Sequence, residues 1–330
     1  MDEASLAQEL STAGYRLTRP RRAVLRVVTE AANCFGVALM LTLAACGPSA
    51  TSQPASGAEE RLQVVATTTI VGDVVHAVGG DVIALTVLLP LGTDPHSYEP
   101  TPQDVAAVAD ADVVFVNGAG LEVFLDSLLE NAGGDAQVVS VSEGITFRHL
   151  GGEHGNPDPH VWFDPHNVAV WVANVEQTLS ASDPANAEVY AANGSEYKTA
   201  LQELDAWIRD QVAQIPEANR KLVTDHAAFG YFADRYGFEQ VGAVFPGFST
   251  LAEPSAQERA ELEEAIRAFD VQAIFVGTTV NPGLAQQVAE DTGARVVFLY
   301  TGSLSEPGGP ADSYLALMRY DVSAIVDALK

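Results

Sequence analysis

At 330 residues the chain is long enough for two domains of ordinary size, each with its own core, and an apolar fraction of 47% excludes a disordered protein. Its 17 Lys and Arg stand against 44 Asp and Glu, a formal net charge of -27. That sign excludes nucleic acid as a partner of the whole chain, because phosphates are repelled; it suits a protein that handles cations, although an acidic surface is also simply a solvated one.

Residues 1–33 do not belong with the rest of the chain. The segment Gly14-Tyr-Arg-Leu-Thr-Arg-Pro-Arg-Arg22 resembles the opening of ferric uptake regulator (Fur) family repressors, but only the first turn of such a domain is present. The chain carries neither a winged helix nor a regulatory metal site of that family, so DNA binding is not implied; a misassigned start codon or a fusion accounts for the segment. Its five arginines from Arg16 to Arg26 still supply the positive side of an export signal. Residues 34–46 are an apolar run too short to span a bilayer comfortably, ending in Leu43-Ala44-Ala45-Cys46. That ending resembles a bacterial lipobox, in which the cysteine is lipidated and becomes the mature N-terminus. Cys34 would then leave with the signal, and no disulfide is possible. Residues 47–61, rich in Pro, Ser, Thr, Ala and Gly, read as a flexible tether.

From Leu62 the pattern becomes regular. Strands are predicted at Leu62–Ile70, Val82–Leu89, Asp112–Asn117 and Gln137–Val141, and helices at Val71–Val78, Thr101–Ala109 and Leu121–Asn131. Thr101 is a candidate N-cap with Pro102 at the first helical position. Strands alternating with helices imply a parallel sheet covered on both faces, with ligands gathered at the carboxyl ends of its strands. Residues 183–215 carry apolar positions at Val189, Tyr197, Leu201, Leu204, Ile208 and Val212, spaced as in one long amphipathic helix with a weak point at Asn193-Gly194. Such a helix is roughly 45 Å long and able to bridge two lobes. Beyond it the alternation resumes, with strands at Lys221–Thr224, Gln240–Phe245, Ala273–Val276 and Arg295–Tyr300. Helices are predicted at Phe229–Tyr236, Ser255–Phe269, Pro282–Thr292 and Asp312–Leu329, and Ser255 and Glu258 stand at capping-box spacing. The expected fold is α/β: an N-terminal lobe at 62–182, a linking helix at 183–215 and a C-terminal lobe at 216–330, each lobe with a mainly parallel sheet.

Three histidines share a local context. His96 and His160 each follow Asp-Pro, and His226 follows Asp225. Three imidazoles converging on one ion point to zinc, since harder oxygen donors shift preference toward manganese, magnesium or calcium. Separations of 64 and 66 residues do not by themselves show that they converge. Asp94, Asp158 and Asp225 are placed to orient those ligands from behind, though each also suits a turn. His76 on the first helix, and His166 in a turn after Asp164-Pro165, read as ordinary histidines.

Four segments carry a resemblance: Asp94-Pro-His-Ser-Tyr-Glu-Pro-Thr-Pro-Gln-Asp104, Asp158-Pro-His-Val-Trp-Phe-Asp-Pro165, Thr224-Asp-His-Ala-Ala-Phe-Gly-Tyr-Phe232 and Gly308-Gly-Pro-Ala-Asp-Ser-Tyr-Leu-Ala-Leu-Met-Arg-Tyr320. Together they resemble the zinc and manganese solute-binding lipoproteins of bacterial ABC importers (ZnuA/TroA-like, cluster A-I), over essentially everything from Leu62 to Lys330. The resemblance implies two α/β lobes joined by one rigid helix, with metal in the cleft. It implies His96, His160 and His226 as metal ligands, the last where manganese members carry Glu. The family's fourth ligand, an aspartate, falls at Gly302, which leaves an open position or a nearby carboxylate such as Glu306 or Asp312. The His-rich loop of many zinc-type relatives shrinks to Arg148–Gly155, where His149 and His154 either capture metal transiently or are simply solvated.

The expected function is therefore an extracytoplasmic receptor, lipid-anchored through Cys46 and monomeric. It binds Zn²⁺ as transported ligand, delivers it to an ABC permease in the cytoplasmic membrane, and performs no catalysis. A stiff linking helix implies modest closure on binding. The alternatives are a Mn²⁺ receptor of the same family, disfavoured by His226, and a zinc-dependent hydrolase, for which no His-Glu-x-x-His arrangement is present. A surface adhesin, a role proposed for some relatives, is neither supported nor excluded.

Overall fold

The computed structural model describes residues 61–149, 155–251 and 253–330. The Fur-like segment, the apolar run with Cys46, the tether up to residue 60 and His154 lie outside the described residues.

Two four-stranded sheets are built to one plan. The first holds β1 (Leu62–Ala66), β2 (Ile83–Val87), β3 (Val113–Val116) and β4 (Gln137–Ser140) in the order β2-β1-β3-β4; the second holds β5 (Lys221–Thr224), β6 (Glu239–Ala243), β7 (Ala273–Gly277) and β8 (Arg295–Leu299) in the order β6-β5-β7-β8. Every strand pairing within them is parallel. β3 shows why such strands are legible: Val-Val-Phe-Val is buried at all four positions, as a strand covered on both faces must be. In each sheet the chain reverses direction of travel between the first and third strands, which opens a crevice at their carboxyl ends.

The helices begin where their caps allow. Thr68 accepts the Val71 N–H to start α1 (Thr69–Gly79). Reciprocal capping boxes, Thr101 with Asp104 and Ser255 with Glu258, start α2 (Pro102–Asp110) and α7 (Ala256–Ala268). Between and after them come α3 (Leu125–Ala132), α4 (Pro165–Ser182), α5 (Ala187–Val212), α6 (Gly230–Tyr236), α8 (Gly283–Thr292) and α9 (Tyr314–Leu329).

Two sequence expectations are corrected here. Asp164-Pro165 is not a turn that merely carries His166. Asp164 caps α4 by accepting the His166 N–H at 2.9 Å, and Pro165 takes the first helical position, where its missing N–H costs nothing. The linking helix is α5, 26 residues and about 39 Å long, preceded by a single 3₁₀ turn at Pro184–Asn186. It runs unbroken through Asn193-Gly194. Asn193 Nδ2 donates to the Val78 carbonyl at 3.0 Å, and a Cβ at Gly194 would stand 2.7 Å from Glu176 Oε2 on α4. The dipeptide marks a close approach of helices rather than a weak point, while Val189 faces solvent.

One core runs through both lobes. Side chains of α1, α4, α5 and α9, among them Val75, Trp171, Leu204 and Leu317, join the inner faces of both sheets in a single buried cluster. Smaller clusters lie under α2 and α3 on one sheet and under α7 and α8 on the other. A shared core of this kind resists wide hinge motion, because separating the lobes would expose it.

Candidate metal centre

Each of the three histidines is presented by a short loop tied down by an aspartate. The chain leaves β2 and turns at Asp94, whose Oδ1 accepts the His96 N–H at 3.0 Å. His160 immediately precedes a 3₁₀ turn, Val161–Phe163, and its N–H bonds Asp158 Oδ1 at 3.0 Å. His226 lies two residues beyond β5, at the crevice of the second sheet. Its N–H reaches Asp225 Oδ1 at 2.7 Å, while Asp225 Oδ2 accepts the Gly277 N–H from the neighbouring strand, also at 2.7 Å.

These loops bring the three rings together. His160 Nε2 stands 3.2 Å from His96 Nε2 and 3.0 Å from His226 Nε2, and all three residues are buried. Two nitrogens bound tetrahedrally to one zinc ion lie about 3.3 Å apart, so the spacing suits a shared ion. Among the described residues this is the one group of histidine, cysteine and carboxylate side chains disposed to hold a metal. Asp94, Pro95, Trp162, Thr279, Thr301 and Gly302 complete the wall of a cavity of about 10 Å³ around them. A wider cleft of about 560 Å³, lined by His96, Val123, Pro157, Pro159, Pro246 and Phe248, shares His96 with it.

The aspartates differ in what they do. Asp158 Oδ1 accepts the His160 Nδ1–H at 2.9 Å and Asp225 Oδ1 accepts the His226 Nδ1–H at 2.8 Å. Both bonds fix the tautomer and turn Nε2 inward, the usual way a carboxylate orients a metal-binding imidazole. Asp94 instead holds the backbone of His96 and accepts a bond from Thr250 Oγ1 at 2.5 Å.

The ionisation of the cluster follows from its burial. Burial, then the neighbouring His160 and His226, pushes the His96 imidazole down to about 3, and burial with His226 holds His160 well below its usual value. Both are therefore neutral, as ligands must be. Burial also opposes charge on His226, but the adjoining Asp225 carboxylate outweighs it and raises that ring. Burial lifts the Asp158 carboxyl to about 7, against the pull of the His160 N–H and the Arg148 guanidinium.

Known proteins resemble this chain in sequence and in fold. The family described as ZnuA, zinc-uptake complex component A, periplasmic, matches residues 64–328. The chain belongs to the ZnuA/TroA family of metal-binding ABC substrate-binding proteins. It is 37% identical over 300 residues to the manganese-binding lipoprotein MntA of Halalkalibacterium halodurans, covering 90% of this chain and 98% of that one. The periplasmic zinc-binding protein TroA of Treponema pallidum superposes with a TM-score of 0.77 at 29% identity, over 82% of this chain and 99% of TroA. A manganese-bound periplasmic metal-binding protein from Candidatus Liberibacter asiaticus gives 0.74 at 28% identity, over 82% and 100%. ZnuA/TroA proteins are receptors rather than enzymes, which removes the hydrolase reading.

In this ZnuA/TroA chain Gly302 lines the cavity, where a Cβ would stand 2.8 Å from Pro95 Cδ. Glu306 and Asp312, the carboxylate alternative to an open fourth position, do not line it. The chain turns outward after Leu304, Glu306 is exposed, and Asp312 is spent accepting the Gly308 N–H at 3.0 Å. His76 and His149 are exposed, the latter with Nδ1 2.9 Å from the Gly155 carbonyl oxygen. Trp162, Thr279 and Thr301 were not singled out in the sequence, because nothing local marks a residue that only closes a cavity wall.

Proposed function

We propose that this chain is an extracytoplasmic receptor, lipid-anchored at Cys46, that captures Zn²⁺ between its lobes through His96, His160 and His226 and passes it to an ABC permease of the cytoplasmic membrane. The observation that carries this reading is the convergence of three buried imidazole Nε2 atoms at 3.0 and 3.2 Å. An all-nitrogen donor set with no carboxylate among its ligands suits zinc better than manganese, which favours oxygen donors. The absence of a side chain at Gly302 supports the same preference, because the family's aspartate would add an oxygen there. The lobes act as a stiff clamp, since the core that joins them is continuous.

A manganese receptor is the second reading, favoured by the likeness to manganese-binding MntA and to the manganese-bound Liberibacter protein. Metal analysis of the purified chain with competitive titration separates the two. One Zn²⁺ per chain, retained against excess Mn²⁺, is the expected result. Preference for Mn²⁺ under competition selects the second reading, and failure to take up either ion overturns both.

A further inference from the structure

Arg148 stands at the end of the segment that follows β4, outside the cavity, and touches no histidine ligand. Its side chain nonetheless reaches the back of the centre. Nη1 lies 3.2 Å from Asp158 Oδ2, and Asp158 is the fully buried carboxylate whose other oxygen holds both the backbone and the ring of His160. On the same guanidinium, Nε donates to Asp234 Oδ2 at 2.7 Å, on α6 of the opposite lobe. The backbone repeats the connection: the Arg148 N–H donates to Tyr231 Oη at 3.0 Å, the Tyr231 hydroxyl donates to the Asp158 carbonyl at 3.1 Å, and the Asp158 N–H donates to the Arg148 carbonyl at 2.8 Å.

The fold makes room for this side chain at one position. A Cβ on Gly230 would stand 1.3 Å from Arg148 Nη1, 2.5 Å from its Cζ and 2.9 Å from Asp158 Oδ2. Gly230 is not among the residues with positive φ, so backbone conformation does not require glycine there. Space does. A helix that opens on a glycine so that a guanidinium can pass over it points to a use for the guanidinium beyond solubility.

We propose that Arg148 is a positioning residue of the metal centre: it clamps Asp158 behind His160 while pinned to Asp234 of the other lobe, and so sets how long a bound metal stays. The inference rests on the metal-receptor reading. The mechanism is geometric. Asp158 holds the His160 backbone and ring through one oxygen, and Arg148 steadies the carboxylate through the other, from a place that is correct only when the lobes are together. Release of metal requires His160 to swing away, and the arginine ties that swing to separation of α6 from the loop at 155–160. The buried contact to Asp158 carries more weight than the one to Asp234, whose side chain is 66% exposed and therefore screened.

The test uses the full chain loaded with Zn²⁺, with the release rate read by stopped-flow mixing into excess chelator, for wild type, Arg148→Met, Arg148→Lys and Gly230→Ala. Arg148→Met keeps the apolar stem and loses the charge; it is expected to release zinc about tenfold faster. Gly230→Ala keeps the arginine but blocks its path, and is expected to match Arg148→Met. Arg148→Lys restores a point charge facing Asp158 and is expected within about threefold of wild type. Metal-free melting temperatures of the Met and Lys variants should agree, since neither removes the packed stem. Wild-type release from Arg148→Met, which keeps the stem, overturns the proposal and makes the residue a packing element only; equally fast release from the Met and Lys variants supports it, with both contacts of the guanidinium required. Wild type that takes up no Zn²⁺ overturns the zinc reading, and wild type that takes up neither Zn²⁺ nor Mn²⁺ overturns the receptor reading and this inference with it.

Discussion

Asp225 grips His226 twice with a single oxygen: Oδ1 lies 2.7 Å from the backbone N–H and 2.8 Å from Nδ1, leaving Oδ2 to bond Gly277 on the adjacent strand. The ring is therefore tied to the second sheet through a carboxylate. Asn at 225 keeps one acceptor but turns an N–H₂ toward the Gly277 N–H, setting donor against donor. Asp225→Asn is expected to weaken zinc binding by about 10- to 100-fold. Competitive titration against a chromophoric chelator measures this, and an unchanged constant would show that the ring needs no such anchor.

Much of the scaffold was legible from residue patterns for stated reasons. Buried parallel strands must be apolar at every position, and Val113–Val116 is. Helix starts at Thr101 and Ser255 were readable because a cap needs a short side-chain oxygen and a partner three residues on. Helix α4 went unread although Val168, Trp171, Val172, Val175 and Leu179 repeat at helical spacing, because Asp164-Pro165 reads equally as a turn and as a helix entrance. The convergence of His96, His160 and His226 could not be read from spacing; it comes from strand order and from loops at the carboxyl ends of separate sheets. The direction of the segment after Leu304 was equally hidden, which is why Glu306 and Asp312 stood as an alternative to an open fourth position although both are exposed.

Gly194 offers a test of packing against propensity. It lies inside α5, where glycine costs about 1 kcal/mol relative to alanine. The atom an added Cβ meets is Glu176 Oε2, the far end of a flexible side chain paired with Lys198 Nζ at 2.9 Å. That pair is partly exposed and contributes little. Gly194→Ala is therefore expected to stabilise the protein by about 0.5–1 kcal/mol, read from urea unfolding. A loss of stability would mean that α4 and α5 have no slack at this crossing.

Asp321 should make stability depend on pH. Its side chain is buried in α9, Oδ1 accepts the Tyr300 N–H at 2.8 Å, Oδ2 is buried with no partner, and burial raises the carboxyl well above its ordinary value of 3.8. An acid raised on folding contributes fully below the unfolded value and loses that contribution as pH rises toward the folded one. Relative to Asp321→Asn, wild type is expected to be equally stable near pH 4 and to fall behind from there upward, by at most about 1.4 kcal/mol per pH unit. Urea unfolding of both proteins from pH 4 to 8 checks this; parallel curves would show that Asp321 is ionised in the folded state.

Gly302 decides how the donor set can be altered. The resemblance places an aspartate ligand at this position, and Gly302 does line the cavity beside the three histidines. Restoring it is not free, because a Cβ would stand 2.8 Å from Pro95 Cδ, on the loop that presents His96. Overpacking of this kind costs about 1–3 kcal/mol, so Gly302→Asp and Gly302→Ala should both lower metal-free stability by a similar amount. Only the aspartate adds an oxygen donor. If the geometry is limited by sterics and the metal preference by ligand chemistry, Gly302→Asp alone should move the balance toward Mn²⁺, while Gly302→Ala weakens both ions without changing their ratio. Zinc and manganese competition on the two variants separates these effects, and an equal shift in selectivity from alanine would show that the wall, not the missing carboxylate, sets the choice.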